Sequence, residues 1–163
     1  MKSFTDNMGR TWTLVVNVAA IKRVRALCGV DLNAIVEVDK DNNPTAELLE
    51  RLSTDPVLLV DVLYAVCKPE CEQKGVTDED FGAAMAGDAI EQATGALLDE
   101  VVDFFPEAKR TALRKILAAT RRFEALAKKR LEDLLADGKF ENQLVSKLEQ
   151  LTGLSASAPE YAG

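Results

Sequence analysis

The sequence contains no histidine. The side chain that most often acts as general base, proton shuttle and metal ligand near neutral pH is therefore missing. Cysteine is scarce, with only Cys28, Cys67 and Cys71. Cys67-Lys-Pro-Glu-Cys71 has C-x-x-x-C spacing, but three thiols without histidine make a poor zinc set. Reduced thiols of a cytosolic protein are the expectation. Aromatic residues make up 6%. No apolar run is long enough to cross a bilayer, and the opening Met-Lys-Ser-Phe-Thr-Asp lacks the hydrophobic segment of a secretory signal. The expectation is a soluble, cytoplasmic protein. Gly82 and Gly87 are too isolated to build a phosphate-binding loop. With no nucleophile or metal motif either, neither enzymatic activity nor a cofactor is expected.

What is present points to a mainly α protein. Hydrophobic residues make up 47% of 163 positions, enough for a sizeable core. The net charge of −7 disfavours nucleic acid as a partner. The charge is unevenly spread. Residues 1–105 carry 9 basic and 19 acidic residues, whereas residues 106–138 carry 9 basic and 5 acidic. Such asymmetry marks an interaction surface or an attraction between the two parts.

Asp55 to Cys67 is apolar at almost every position. Asp55 and Pro56 form a strong helix start. Lys68-Pro69 predicts its end, because the residue before proline avoids the α conformation. Only Asp61, Tyr64 and Lys68 share a stripe that could face water, so this segment is expected to be the central core helix.

Around it the chain reads in order. Phe4 to Asn17 predicts a β-hairpin turning at Asn7-Met8-Gly9, with Trp12, Leu14 and Val16 on one face. The hairpin either packs on the helices or offers an edge to a partner strand. Asn17 caps a helix over 18–28 that Gly29 stops; Ile21, Val24 and Leu27/Cys28 form its buried side, Lys22, Arg23 and Arg25 its wet side. Residues 31–38 are either a short helix or an extended piece. Asp39, Asp41, Asn43, Thr45, Glu47 and Glu50 match the spacing of a calcium loop, but Pro44 occupies the position that needs glycine. A solvated turn leading into a helix over about 45–52 is the preferred reading.

Ser53-Thr54 then separates that helix from the central one, and residues 70–75 read as a connector. Thr77 and Asp80 predict a capping box that turns Phe81 and Met85 inward. Residues 88–105 form an amphipathic helix with Ile90, Thr94, Leu97, Val101 and Phe104 inside and Glu91, Gln92, Asp99, Glu100 and Asp103 outside. Pro106 opens a long helix to about residue 137, with an apolar stripe from Leu113 through Phe123 to Leu134. Its basic face carries Arg110, Arg114, Lys115, Arg121, Arg122, Lys128 and Lys129. A final helix over about 140–151 presents Leu144, Val145, Leu148 and Leu151. The resulting organisation is a hairpin plus helical core over 1–105, the long basic amphipathic helix and final helix over 106–154, and a flexible tail over 155–163.

A thirty-residue amphipathic helix needs a cover. Either the final helix folds back across Gly138 as a helical hairpin, or a partner binds. The basic face is either solvated, paired with acidic parts of this chain or a second copy, or bound to an anionic partner. It lacks the aromatic interleaving of single-strand binders. Arg114, Arg121, Arg122, Phe123 and Leu126 are the candidate partner-binding residues.

Four stretches carry a family likeness: Phe4-Thr5-Asp6 with Gly9-Arg10-Thr11-Trp12; Asp55 to Cys67; Val76-Thr77-Asp78-Glu79-Asp80-Phe81; and Ala96 to Pro106. In this order the chain resembles tail assembly chaperone-like proteins of long-tailed phages and prophage elements. The likeness covers roughly residues 1–106. It implies a small, mostly helical, non-enzymatic protein that binds the tape-measure protein, and unassembled tail-tube subunits, in the host cytoplasm. A self-associating phage structural or helical interaction protein is the alternative.

Overall fold

The structure, a computed structural model, describes residues 1–38, 40–41, 44–136 and 138–153. The fold is mainly α. Two short antiparallel strands, β1 (Lys2–Thr5) and β2 (Thr11–Leu14), precede helix α1 (Val18–Cys28). A 3₁₀ turn at Leu32–Ala34 leads to β3 (Glu37–Val38) and β4 (Pro44–Thr45). Then follow α2 (Glu47–Thr54), α3 (Pro56–Lys74), α4 (Asp78–Ala83), α5 (Asp88–Phe104), α6 (Glu107–Ala136) and α7 (Lys139–Thr152). The chain divides into two compact units, Met1–Arg114 and a second from Lys115 onward.

In the first unit, α3 is the hub, packing against α1, α2, α4, α5 and β2. Leu59, Val62, Leu63, Ala65 and Val66 are buried on it, as expected of the apolar run. Asp55 accepts from the amides of Val57 and Leu58, satisfying donors that the first turn leaves open.

The far end of α3 departs from expectation. The helix does not stop at Lys68 but runs through Pro69 to Lys74, ending at Gly75 with φ 64°. An internal proline removes one amide and frees the carbonyl four residues earlier, here Ala65. Arg23 of α1 takes that role. Its Nε donates to the Ala65 carbonyl (3.0 Å) and its Nη2 to that of Val66 (3.1 Å). Arg23 is accordingly half-buried rather than on the solvent side.

The hairpin pairs Phe4 with Trp12. Trp12 and Leu14 are fully buried, and Val16 is buried in the same alternation. Gly9, with φ 77°, supplies the left-handed residue of the turn. Phe81 of α4 sits among Trp12, Tyr64 and Phe4, with ring centroids at 5.1, 5.7 and 6.4 Å, all edge-on. The capping box that aims Phe81 inward is present. Thr77 Oγ1 receives the Asp80 amide, and the Asp80 carboxylate receives the Thr77 amide.

Several local expectations need correction. Leu27 is exposed, and Ala20 takes its place on the buried side of α1. Residues 31–38 contain both a 3₁₀ turn and a strand, and β3 pairs with β4 where a plain turn was expected. Ser53 and Thr54 belong to α2, which runs to Thr54 with the Asp55 amide donating to the Arg51 carbonyl; their hydroxyls donate to carbonyls one turn back. Glu100 is buried instead of facing water. Strand β1 lies along α5, and the Met1 ammonium approaches the Glu100 carboxylate to 3.4 Å without a hydrogen-bond geometry. Asp39 and Asn43 of the calcium-like spacing lie outside the described residues, as does the tail over 155–163. Glu47 and Glu50 are exposed on α2.

Candidate protein-interaction surface

Helix α6 begins inside the first unit. Its early residues are held by the burial of one side chain and by three contacts of two others. Leu113 is buried, Lys109 donates to the Asn33 carbonyl and lies 4.0 Å over the Phe105 ring, and Arg114 donates to Asp103 at 2.6 Å. That hydrogen bond holds the Asp103 carboxyl below its ordinary range, outweighing its partial burial. Arg114 is therefore tied to Asp103 within the first unit, while its side chain stays 61% exposed.

The second unit presents the other four candidates. Arg121, Arg122, Phe123 and Leu126 are all exposed on α6, Phe123 to 73% and Leu126 to 63%. Phe123 and Leu126 lie three residues apart, hence side by side on the helix surface, and Leu126 follows Arg122 by four. Arg122, Phe123 and Leu126 thus form one patch. Arg121 stands about 100° round the helix from Arg122 and borders the opposite side of the basic face.

Sequence reasoning underestimated the extent of this surface. Leu131, Leu134 and Leu135 of α6, and Leu144, Val145, Leu148 and Leu151 of α7, are also exposed; together with Phe123 and Leu126 the range is 44–82%. The helical hairpin expected across Gly138 is not formed in the sense that would bury these residues. Gly138, with φ 63°, is the N-cap of α7, but both apolar stripes stay open to solvent. Scattered exposed hydrophobes are ordinary on a protein surface. Nine on two consecutive helices, at helical spacing, are a face without a cover.

A concavity lies wholly in the first unit. A groove of about 470 Å³ runs between the outer edge of β2 and the later turns of α3, with Val15, Arg23, Cys67, Glu70 and Lys74 on its walls. Its charged groups are already committed. Glu70 accepts the Thr13 amide (3.0 Å), and Lys74 donates to the Thr11 carbonyl (2.8 Å) and pairs with Glu70 (2.7 Å). The strand edge that could have taken a partner is thus clasped by two side chains of α3. All three cysteines are free thiols. Burial is the main reason that the thiols of Cys67 and Cys71 are pushed up, that of Cys71 to about 11, so both stay protonated and unreactive at neutral pH.

Among the described residues no cluster of cysteine and carboxylate side chains has the arrangement of a metal site, and no helix is long and apolar enough to cross a membrane. Comparison with protein-family models, curated proteins and solved structures returns no match for this chain.

Proposed function

We propose that this chain is a non-enzymatic tail assembly chaperone of a long-tailed phage or prophage element. In this reading it binds the tape-measure protein, and unassembled tail-tube subunits, in the host cytoplasm. The observation that carries the reading is the uncovered apolar face of α6 and α7 in a chain whose first unit is well packed. A chaperone for a long helical client needs a stable platform and an open amphipathic surface that accepts an amphipathic helix. The order of hairpin, core helix, capped α4 and α5 supports the family likeness, and its clasped strand edge leaves the helical face as the open apolar surface. Co-expression with the candidate tape-measure protein tests the proposal. The expected result is a soluble client that co-purifies with the chain. A client that stays insoluble and forms no complex would sink it.

A further inference from the structure

Six of the nine cations of α6 form two rows at seven-residue spacing: Arg114, Arg121 and Lys128 on one border of the basic face, and Lys115, Arg122 and Lys129 on the other. Seven residues are just under two helical turns, so each row runs nearly along the axis with about 10.5 Å between charges. The second row borders the apolar patch, since Leu126 lies four residues after Arg122 and three before Lys129. Lys115, Arg122 and Lys129 are exposed, and among the described residues none of their side chains makes an ion pair or hydrogen bond.

We propose that this face takes an acidic amphipathic helix of another protein. In the complex, carboxylates at seven-residue intervals on that helix meet Lys115, Arg122 and Lys129, while its apolar stripe covers Phe123 and Leu126. The inference rests on reading the face as a client site and adds the chemistry of the client. Two helices packed at a shallow angle keep such rows in register over several turns. A second copy of this chain does not supply the complement, because none of its described helices carries two acidic residues seven apart. An anionic bilayer presents diffuse charge and makes no use of the seven-residue register of this row.

The test titrates the full chain with a labelled three-heptad peptide carrying leucine at its core positions and glutamate at both flanks, against the same peptide with lysine at the flanks. Wild type is expected to prefer the glutamate peptide, with affinity that falls as salt rises. The triple variant Lys115→Glu, Arg122→Glu, Lys129→Glu is expected to lose roughly tenfold for the glutamate peptide and to gain for the lysine peptide. All three positions are exposed, and circular dichroism checks that the variant is folded. Equal binding of both peptides by wild type, or unchanged binding by the variant, overturns the inference. So does binding to phosphatidylserine vesicles without any peptide preference, which would assign the face to a lipid surface. If the glutamate peptide binds as expected but the tape-measure protein does not co-purify, only the chaperone proposal fails. If that client co-purifies equally with wild type and the triple variant, only the acidic-helix inference fails.

Discussion

Arg23 donates from Nε to the carbonyl of Ala65, the acceptor that Pro69 leaves without an amide. A residue of α1 thereby repairs α3 across its proline, and the hub helix gains the turns that carry Glu70, Cys71 and Lys74. Replacing Arg23 by alanine leaves the Ala65 carbonyl without its donor, at a cost of about 1–3 kcal/mol. The cost should depend on Pro69. In a Pro69→Ala background the restored amide can bond Ala65, so Arg23→Ala should cost less there than in wild type. Urea unfolding of the two single variants and the double variant measures the coupling. Strict additivity would show that Arg23 acts through packing alone.

This pair also marks where sequence reading stops. Caps were legible because they are local: Asn17, Asp55 and Thr77 each satisfy amides within three residues. Pro69 was misleading because its remedy lies 42 residues away from Ala65 in α1. Glu100 read as solvent-facing because a helical wheel cannot register a strand docked on the same face. In the candidate surface, the amphipathic stripe of α6 and its Phe123–Leu126 patch were legible from periodicity. The pairing of Arg114 with Asp103 and the exposure of the stripe on α7 were not, since both depend on tertiary placement.

Asp6 is a buried carboxylate in the hairpin turn that accepts from the amides of Met8 and Arg10, from Arg10 Nε at 2.7 Å and from Trp12 Nε1 at 2.8 Å. Burial alone raises its pKa, but the hydrogen bonds from Trp12 and Arg10 outweigh it, and the net shift is downward from 3.8. A depressed carboxyl adds stability that is fully present above its unfolded pKa and lost as pH falls through the folded value. Asp6→Asn should therefore be less stable than wild type at pH 7 by about 2 kcal/mol. The gap should narrow as pH falls below about 3.8. Unfolding curves of both proteins from pH 7 to pH 2 check this; a gap independent of pH would exclude the ionised carboxylate as its source.

The clasp on β2 has a residue-specific signature. The Thr13 amide donates to the Glu70 carboxylate, and Lys74 secures both Glu70 and the Thr11 carbonyl. Lys74 also stands 4.6 Å over the Trp12 ring. Glu70→Ala should open the Thr13 amide to solvent and speed its hydrogen exchange by at least about tenfold, with a modest loss of global stability of about 1 kcal/mol. Residue-resolved exchange by NMR reads this directly. Unchanged protection at Thr13 would mean that the strand edge is shielded by something other than the carboxylate.

Core and surface should separate cleanly under mutation. Leu59 is 1% exposed, near the start of the hub helix, so Leu59→Asp buries an unpaired charge and should prevent folding. Phe123 and Leu126 contribute little burial. Replacing both by serine should shift unfolding free energy by no more than about 0.5 kcal/mol per site, while removing most of the apolar anchor beside Arg122. The double variant is therefore expected to be folded, to bind less of a hydrophobic dye such as ANS, and to lose co-purification with the tape-measure client. Circular dichroism melts together with client pull-down decide the matter. Retained client binding in a folded Phe123→Ser, Leu126→Ser variant would move the docking face elsewhere, whereas loss of binding accompanied by unfolding would show that these residues belong to the core.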